Sequence, residues 1–226
     1  NRSLVGYWRF EDDGDTNASD SSTYGNNGSM FNFACTVADC NLTGALGGVA
    51  SGFVSEGKRG KALAFDGNET FVNVSDSASL DIDAAITIEA WIKTTSFSGG
   101  RIVSKRPIAG GSGYGLMGNN GVVRLITEGV SADTITDSNT AVDDGDWHHV
   151  AGTYDGSKRV LYVDGIMDAN ETGLSGSITL NAFPFMIGSD PDSSTTSFNG
   201  SIDEVKIWNR ALNHTEINAS YQANVY

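Results

Sequence analysis

The sequence predicts an all-β fold, an antiparallel β-sandwich or jelly roll carrying one short C-terminal helix. Three features point to it. Short segments of alternating apolar and polar residues recur along the chain with no helical pattern between them. Turn formers separate the segments: there are 28 Gly and only 3 Pro, and 20 Asp outnumber 8 Glu, Asp favouring turns where Glu favours helix. A single capped helical pattern stands near the C-terminus. At 226 residues and 39% apolar content, one sizeable core can be buried, so a single domain over 1–226 is expected.

Taken in order, residues 4–10 have the aromatic, mixed alternation of a strand. The polar run 11–28 follows as a loop. Residues at about 31–55 are rich in Gly, Ala and Ser and hold both cysteines, and are expected to form an irregular insertion. Further strands are expected at 61–67, 71–74, 86–93, 101–104, 114–117, 122–127, 147–154, 160–163, 185–188 and 201–208, punctuated by turns such as Asp155-Gly156 and Asp164-Gly165. For the helix, Asn213 is the N-cap, Glu216 its capping-box partner, and Leu212 with Ile217 a hydrophobic staple. No repeat of 20 to 50 residues points to a solenoid or propeller.

The formal net charge of -14 comes from 28 acidic and 14 scattered basic residues. Binding phosphates by counterion release needs a Lys/Arg-rich face, so nucleic acid is excluded as a partner, and an anionic membrane surface would repel the chain. No run approaches the roughly 18 to 20 apolar residues of a membrane span, so no direct membrane insertion is expected. The chain opens at Asn1 with neither an initiator Met nor a signal peptide, as a mature or excised chain would.

Cys35 and Cys40 are the only cysteines; they suit a small disulfide-closed loop, with two free thiols as the alternative. Asn-x-Ser/Thr sequons begin at Asn17, Asn27, Asn41, Asn68, Asn73, Asn170, Asn199, Asn213 and Asn218. From 18 Asn and 43 Ser plus Thr in 226 residues, chance would give roughly 3, so nine is an excess. Polar turns can generate sequons by composition; the other reading is a secreted or cell-surface glycoprotein, and a disulfide would agree with it.

The segment Glu11-Asp12-Asp13-Gly14-Asp15 and the loop 20–28 are rich in the oxygen ligands that Ca²⁺ takes, and equally read as solvated turn acids. The spacing is not that of an EF-hand. His148 and His149 are adjacent in a strand, so their side chains leave on opposite faces and cannot chelate one ion together. Glycoside hydrolysis needs two carboxylates about 5 to 10 Å apart. Glu89 stands alone in its strand and Asp203-Glu204 are expected on opposite faces, so no such array is read, and neither a Gly-x-Ser-x-Gly elbow nor a phosphate loop is present. The chain is therefore expected not to be an enzyme. Sugar-contacting candidates outside the core pattern are Phe97, Arg101, Tyr114, Asn119 and Asn120.

Seven segments in order resemble the laminin-G-like, concanavalin A-like jelly-roll family in its microbial LamG-type branch: Gly6-Tyr-Trp-Arg-Phe-Glu11, Asp20-Ser-Ser-Thr-Tyr-Gly-Asn-Asn-Gly28, Gly60-Lys-Ala-Leu-Ala-Phe-Asp-Gly67, Ile86-Thr-Ile-Glu-Ala-Trp-Ile92, Trp147-His-His-Val-Ala-Gly-Thr-Tyr-Asp-Gly156, Leu161-Tyr-Val-Asp-Gly165 and Phe198-Asn-Gly-Ser-Ile-Asp-Glu-Val-Lys-Ile-Trp-Asn-Arg-Ala-Leu212. The resemblance implies two stacked antiparallel sheets, a structural Ca²⁺ near the chain ends and a carbohydrate site on the concave face or loop rim. The metal ligands it implies are Glu11 and Asp203, to which Asp20, Asn26 and the carbonyl of Gly67 are added as expected partners. Trp8, Trp91, Trp147 and Trp208 match core positions of the family, which implies that they are buried. Residues 31–55 carry no signature of the family. The expected function is a non-catalytic extracellular carbohydrate-binding or adhesion module on a calcium-stabilised β-sandwich, with glycans or other surface proteins as partners. The alternative is a glycosylated structural subunit of a cell-surface filament, sheath or S-layer that self-assembles.

Overall fold

A computed structural model describes residues 2–12, 16–33, 51–130, 135–192 and 196–223. Its strands are β1 (Leu4–Trp8), β2 (Asn17–Ala18), β3 (Gly28–Phe31), β4 (Gly52–Val54), β5 (Ala62–Asp66), β6 (Phe71–Val74), β7 (Ile86–Lys93), β8 (Arg101–Lys105), β9 (Tyr114–Asn119), β10 (Val122–Thr127), β11 (Ile135–Ala141), β12 (Trp147–Tyr154), β13 (Lys158–Val163), β14 (Ile166–Thr172), β15 (Phe185–Ile187) and β16 (Asn199–Trp208), followed by helix α1 (His214–Gln222). They form two sheets of eight antiparallel strands. The first runs β14-β13-β12-β7-β16-β5-β4, with β1 pairing the second half of β16; the other runs β11-β10-β9-β8-β15-β6-β3-β2. The predicted sandwich with a C-terminal helix is what is observed. No helix among the described residues is long and apolar enough to cross a membrane.

One apolar core lies between the sheets, and strand alternation selects it. On β7, Ile86, Ile88, Ala90 and Ile92 enter the core. The alternate residues Thr87, Glu89 and Trp91 face away from it and are nevertheless buried, because α1 covers that outer face. The capping box forms as expected: the Asn213 side chain accepts from the Glu216 N–H, and the Glu216 carboxylate accepts from the Asn213 N–H. Leu212 and Ile217 pack together on Ala151, Val160 and Tyr162 of the sheet. Asp164 and Gly165 both have positive φ, 50° and 75°, which a type I′ turn joining β13 to β14 requires.

Five strands lie outside the predicted set: β2, β3, β4, β11 and β14. Of these, β4 falls within the expected insertion, where it pairs with β5 and edges the first sheet.

Candidate functional site

The outer corner of the first sheet, where β1, β7 and β16 meet, holds an acidic group. Ile202, Val205 and Ile207 of β16 enter the core. Only a bulge accommodates two residues between Ile202 and Val205, and there the register with β7 shifts and Glu204 adopts φ 52°. Asp203 and Glu204 consequently share the outer face, correcting the expectation that they diverge. Asp203 Oδ2 accepts from the Arg59 N–H at 2.9 Å. Glu204 accepts from the Tyr7 hydroxyl and lies 3.8 Å from Arg9 Nε. Burial first, then the charges of Glu204 and Glu11, push the Asp203 carboxyl up to about 7.

The residues expected to ligate calcium are not one cluster. Glu11 faces this corner, with Oε1 3.3 Å from the Lys61 N–H, and its charge is felt by Asp203. Asp20 accepts four hydrogen bonds, from the N–H groups of Tyr7, Ser22 and Asn26 and from the Ser22 hydroxyl, at 2.6–2.8 Å. Those fill the four lone-pair sites of a carboxylate, so Asp20 clasps its own loop. Asn26 is also committed, donating to the Val5 carbonyl and Ser79 hydroxyl and accepting from Ser77 and Ser79. Gly67 lies against Asn199, which is four residues, or about 13 Å, along β16 from Asp203. Among the described residues no group of three or more His, Cys, Asp or Glu could hold a metal ion. Glu11 and Asp203 are thus the pair that remains: a buried carboxyl beside a second carboxylate, which a cation would keep ionised.

Beside this corner, under α1, Glu89 is fully buried. Its Oε1 accepts from Trp208 Nε1 at 2.8 Å, and its Oε2 lies 3.3 Å from His149 Nε2. Trp91 is layered between Tyr221, stacked at 5.5 Å, and the Lys58 ammonium, 4.1 Å from the ring centroid. His149 is in this layer while His148 turns to Asp164 and Asp144, so the two histidines diverge as strand alternation requires. Burial pushes the Glu89 carboxyl up, but the His149 hydrogen bond, the Lys206 and His149 charges and the Trp208 bond outweigh it and hold the group down at about 2, against the usual 4.5. A folded-state value below the unfolded one gives stability that is complete above pH 4.5 and disappears as pH falls through 2. Unfolding stability measured between pH 5 and 2 should therefore fall more steeply for the native chain than for Glu89→Gln; equal slopes would refute this assignment.

Of the sugar candidates, Phe97 and Tyr114 enter the core. Phe97 lies against Gly118, where a Cβ would come within 2.3 Å of the ring, and Tyr114 donates to the Leu80 carbonyl. Arg101 is buried in an ion pair with Asp190 at 2.8 Å, and Asn119 bonds Asp137. Trp8 and Trp91 are buried as expected, whereas Trp147 and Trp208 are only partly so.

An open recess is found elsewhere, at one end of the sandwich. A cleft of about 560 Å³ is lined by Tyr24, by residues 78, 79 and 81–85 before β7, and by Asn209 after β16. Its volume lies in the range of small-ligand sites. Tyr24 is 42% exposed and its hydroxyl donates to the Arg2 carbonyl at 2.7 Å, which fixes the ring. Trp8 supports the loop from below through Nε1 to the Asn26 carbonyl, 2.9 Å. Behind the lining, Asp81 lies 3.2 Å from the Lys105 ammonium, which also reaches Asp76 at 2.7 Å. A ring beside carboxylates, an amide and carbonyls is the combination by which proteins hold sugars. Sequence reasoning missed Tyr24 because it lies in a Ser/Gly/Asn loop without alternation; an aromatic residue isolated in such a loop was the available signal.

The family model of the concanavalin A-like lectin/glucanase superfamily, laminin-G type, matches residues 66–218, more than half of the chain. The chain belongs to this superfamily. The match includes the β7, β12, β13 and β16 segments that carried the resemblance. No curated protein matches this lectin/glucanase-superfamily chain in sequence. Among solved structures it is similar to the binding domain of Paraclostridial Mosquitocidal Protein 1, with TM-score 0.70 and 15% identity over 98% of this chain and 52% of the other. It is also similar to domain 4 of AbnA, a GH43 extracellular arabinanase from Geobacillus stearothermophilus, in complex with arabinotriose, with TM-score 0.67 and 19% identity over 96% and 97% of the two chains. A third is Trypanosoma rangeli sialidase, with TM-score 0.64 and 18% identity over 98% and 33%. The chain thus spans about half of the toxin binding domain and a third of the sialidase.

Cys35, Cys40 and Asn41 lie outside the described residues, as do Asp13, Gly14 and Asp15. Of the eight described sequon asparagines none is buried: Asn17, Asn27, Asn68, Asn170, Asn199 and Asn213 are exposed, and Asn73 and Asn218 half-buried.

Proposed function

We propose that this chain is a non-catalytic carbohydrate-binding module of an extracellular adhesive or glycan-processing protein, and that it holds its glycan in the Tyr24 cleft. The observation that carries this reading is the half-exposed, hydroxyl-anchored Tyr24 ring in a 560 Å³ recess lined by Asp81, Asp83 and Asn209. The superfamily, and the likeness to a toxin binding domain and to an arabinanase domain in complex with arabinotriose, support it. A binding rather than hydrolytic role is supported by the burial of Glu89, Asp203 and Glu204, which keeps these carboxylates of the outer face out of reach of a polysaccharide. Solvent access at all eight described sequons supports a secreted glycoprotein. In a glycan array followed by calorimetry, with arabinotriose among the probes, the native chain binds and Tyr24→Ala weakens the hit about tenfold or more through loss of the stacking face. A panel that yields no ligand would sink the reading.

Calcium belongs to the same proposal as a structural ion held by Glu11 and Asp203, whose charge would compensate the buried Asp203 carboxylate. Millimolar Ca²⁺ should raise the Tm by a few degrees and a chelator reverse it, with Asp203→Asn abolishing the difference. An unchanged Tm would leave the corner without an ion.

A further inference from the structure

We propose that the Tyr24 cleft selects uncharged oligosaccharides and rejects those bearing carboxylate or sulfate groups; this rests on the glycan-binding reading above and names the ligand class of the same site. The residues lining the cleft include Asp81 and Asp83 and no Lys or Arg. Of the lining carboxylates, Asp81 is reached by Lys105, which does not itself line the cleft and is already committed. Its ammonium donates to Asp76 Oδ1 at 2.7 Å and to the carbonyls of Asn181 and Phe183 at 2.8 and 3.0 Å, with Asp81 Oδ1 3.2 Å away. Three hydrogen-bond donors are all an ammonium has. Asp76 and Asp81 therefore share one positive charge, and the exposed Asp83 carboxylate has no ion-pair partner among the described residues.

Carboxylates facing a sugar accept from its hydroxyls in charge-assisted hydrogen bonds, and a neutral glycan supplies several hydroxyls per residue. A uronic, sialylated or sulfated sugar in the same position brings a further anion into a recess whose lining carries Asp81 and Asp83 and no Lys or Arg. Like charges within about 6 Å, partly shielded from water, weaken binding about tenfold. The overall charge of -14 acts in the same direction at longer range.

The test is a glycan array spanning neutral, uronic, sialylated and sulfated glycans, then calorimetry of the full chain with the best neutral ligand and its carboxylate-bearing counterpart at two ionic strengths. The expected result is that the neutral ligand binds at least tenfold tighter, that Asp83→Asn narrows this ratio, and that added salt improves only the acidic ligand. An acidic glycan that binds as tightly as its neutral counterpart and depends on Tyr24 overturns the selectivity and leaves the site standing. Neutral binding that survives Tyr24→Ala overturns the placement of the site, and failure of every glycan to bind overturns both.

Discussion

Trp8→Ala should lower the unfolding free energy by about 4 kcal/mol, within the range for truncating a buried aromatic residue. Trp8 is fully buried, and although it belongs to β1 in the first sheet its ring stacks at 5.2 Å on Phe185 of β15 in the second. It therefore bridges the two layers of the core. Its indole N–H also satisfies the Asn26 carbonyl at 2.9 Å, tying down the loop that presents Tyr24. Trp8→Phe separates the two roles. It retains much of the stacking and removes the hydrogen bond, so stability should fall by about 1–2 kcal/mol while glycan binding weakens with the loop. Chemical denaturation of both variants checks this. A loss below 1 kcal/mol for Trp8→Ala would contradict the bridging role.

Lys105→Met should cost about 3 kcal/mol, the low end of what breaking a buried charge pair costs, because Asp76 and Asp81 are partly in water. The aliphatic stem of Lys105 is retained in volume by Met, so packing is little changed and the loss reports the ammonium. With it gone, the carbonyls of Asn181 and Phe183 and the Asp76 carboxylate lose their donor. That ammonium staples the segment between β6 and β7 to the segment before β15, and the first of these forms a wall of the cleft. Lys105→Met should thus both destabilise the chain and weaken glycan binding. Unfolding in urea with an unchanged midpoint would refute the staple.

How legible the fold was in the sequence depended on which strands alternate. The segments 71–74, 86–93, 122–127 and 147–154 coincide with β6, β7, β10 and β12, because β-branched and aromatic residues, which fit a pleated and largely buried surface, are concentrated there. The strands β11 (Ile-Thr-Asp-Ser-Asn-Thr-Ala) and β14 (Ile-Met-Asp-Ala-Asn-Glu-Thr) have turn-like composition because each is an edge strand of its sheet. They pack on each other through Asp168, which accepts from the N–H groups of Asn139 and Thr140, and through the Thr136–Glu171 hydrogen bond. Polar side chains suit an exposed edge, and period-two reading cannot find them.

The site was less legible for two physical reasons. A single residue with positive φ at Glu204 reverses the parity of β16, so Asp203 and Glu204 come together although strict alternation separates them. Aromatic residues beside Gly-rich segments suggested a sugar surface, but Gly118 is small because Phe97 lies over it, a close approach that sequence spacing alone does not reveal. The cleft itself joins Tyr24, the 78–85 segment and Asn209, which lie far apart in the chain and meet only once β1 pairs with β16. The Asn213 capping box, by contrast, is local in sequence and was read in full.

The central claim is that the Tyr24 cleft is where this chain meets carbohydrate. Calorimetric titration of the native chain and of Tyr24→Ala with the best neutral ligand from a glycan array tests it most directly. A saturable isotherm for the native chain that weakens about tenfold or more in Tyr24→Ala, with the Tm of the two proteins alike, is the predicted result. Equal affinity in the two proteins, or no binding to any glycan, would contradict it.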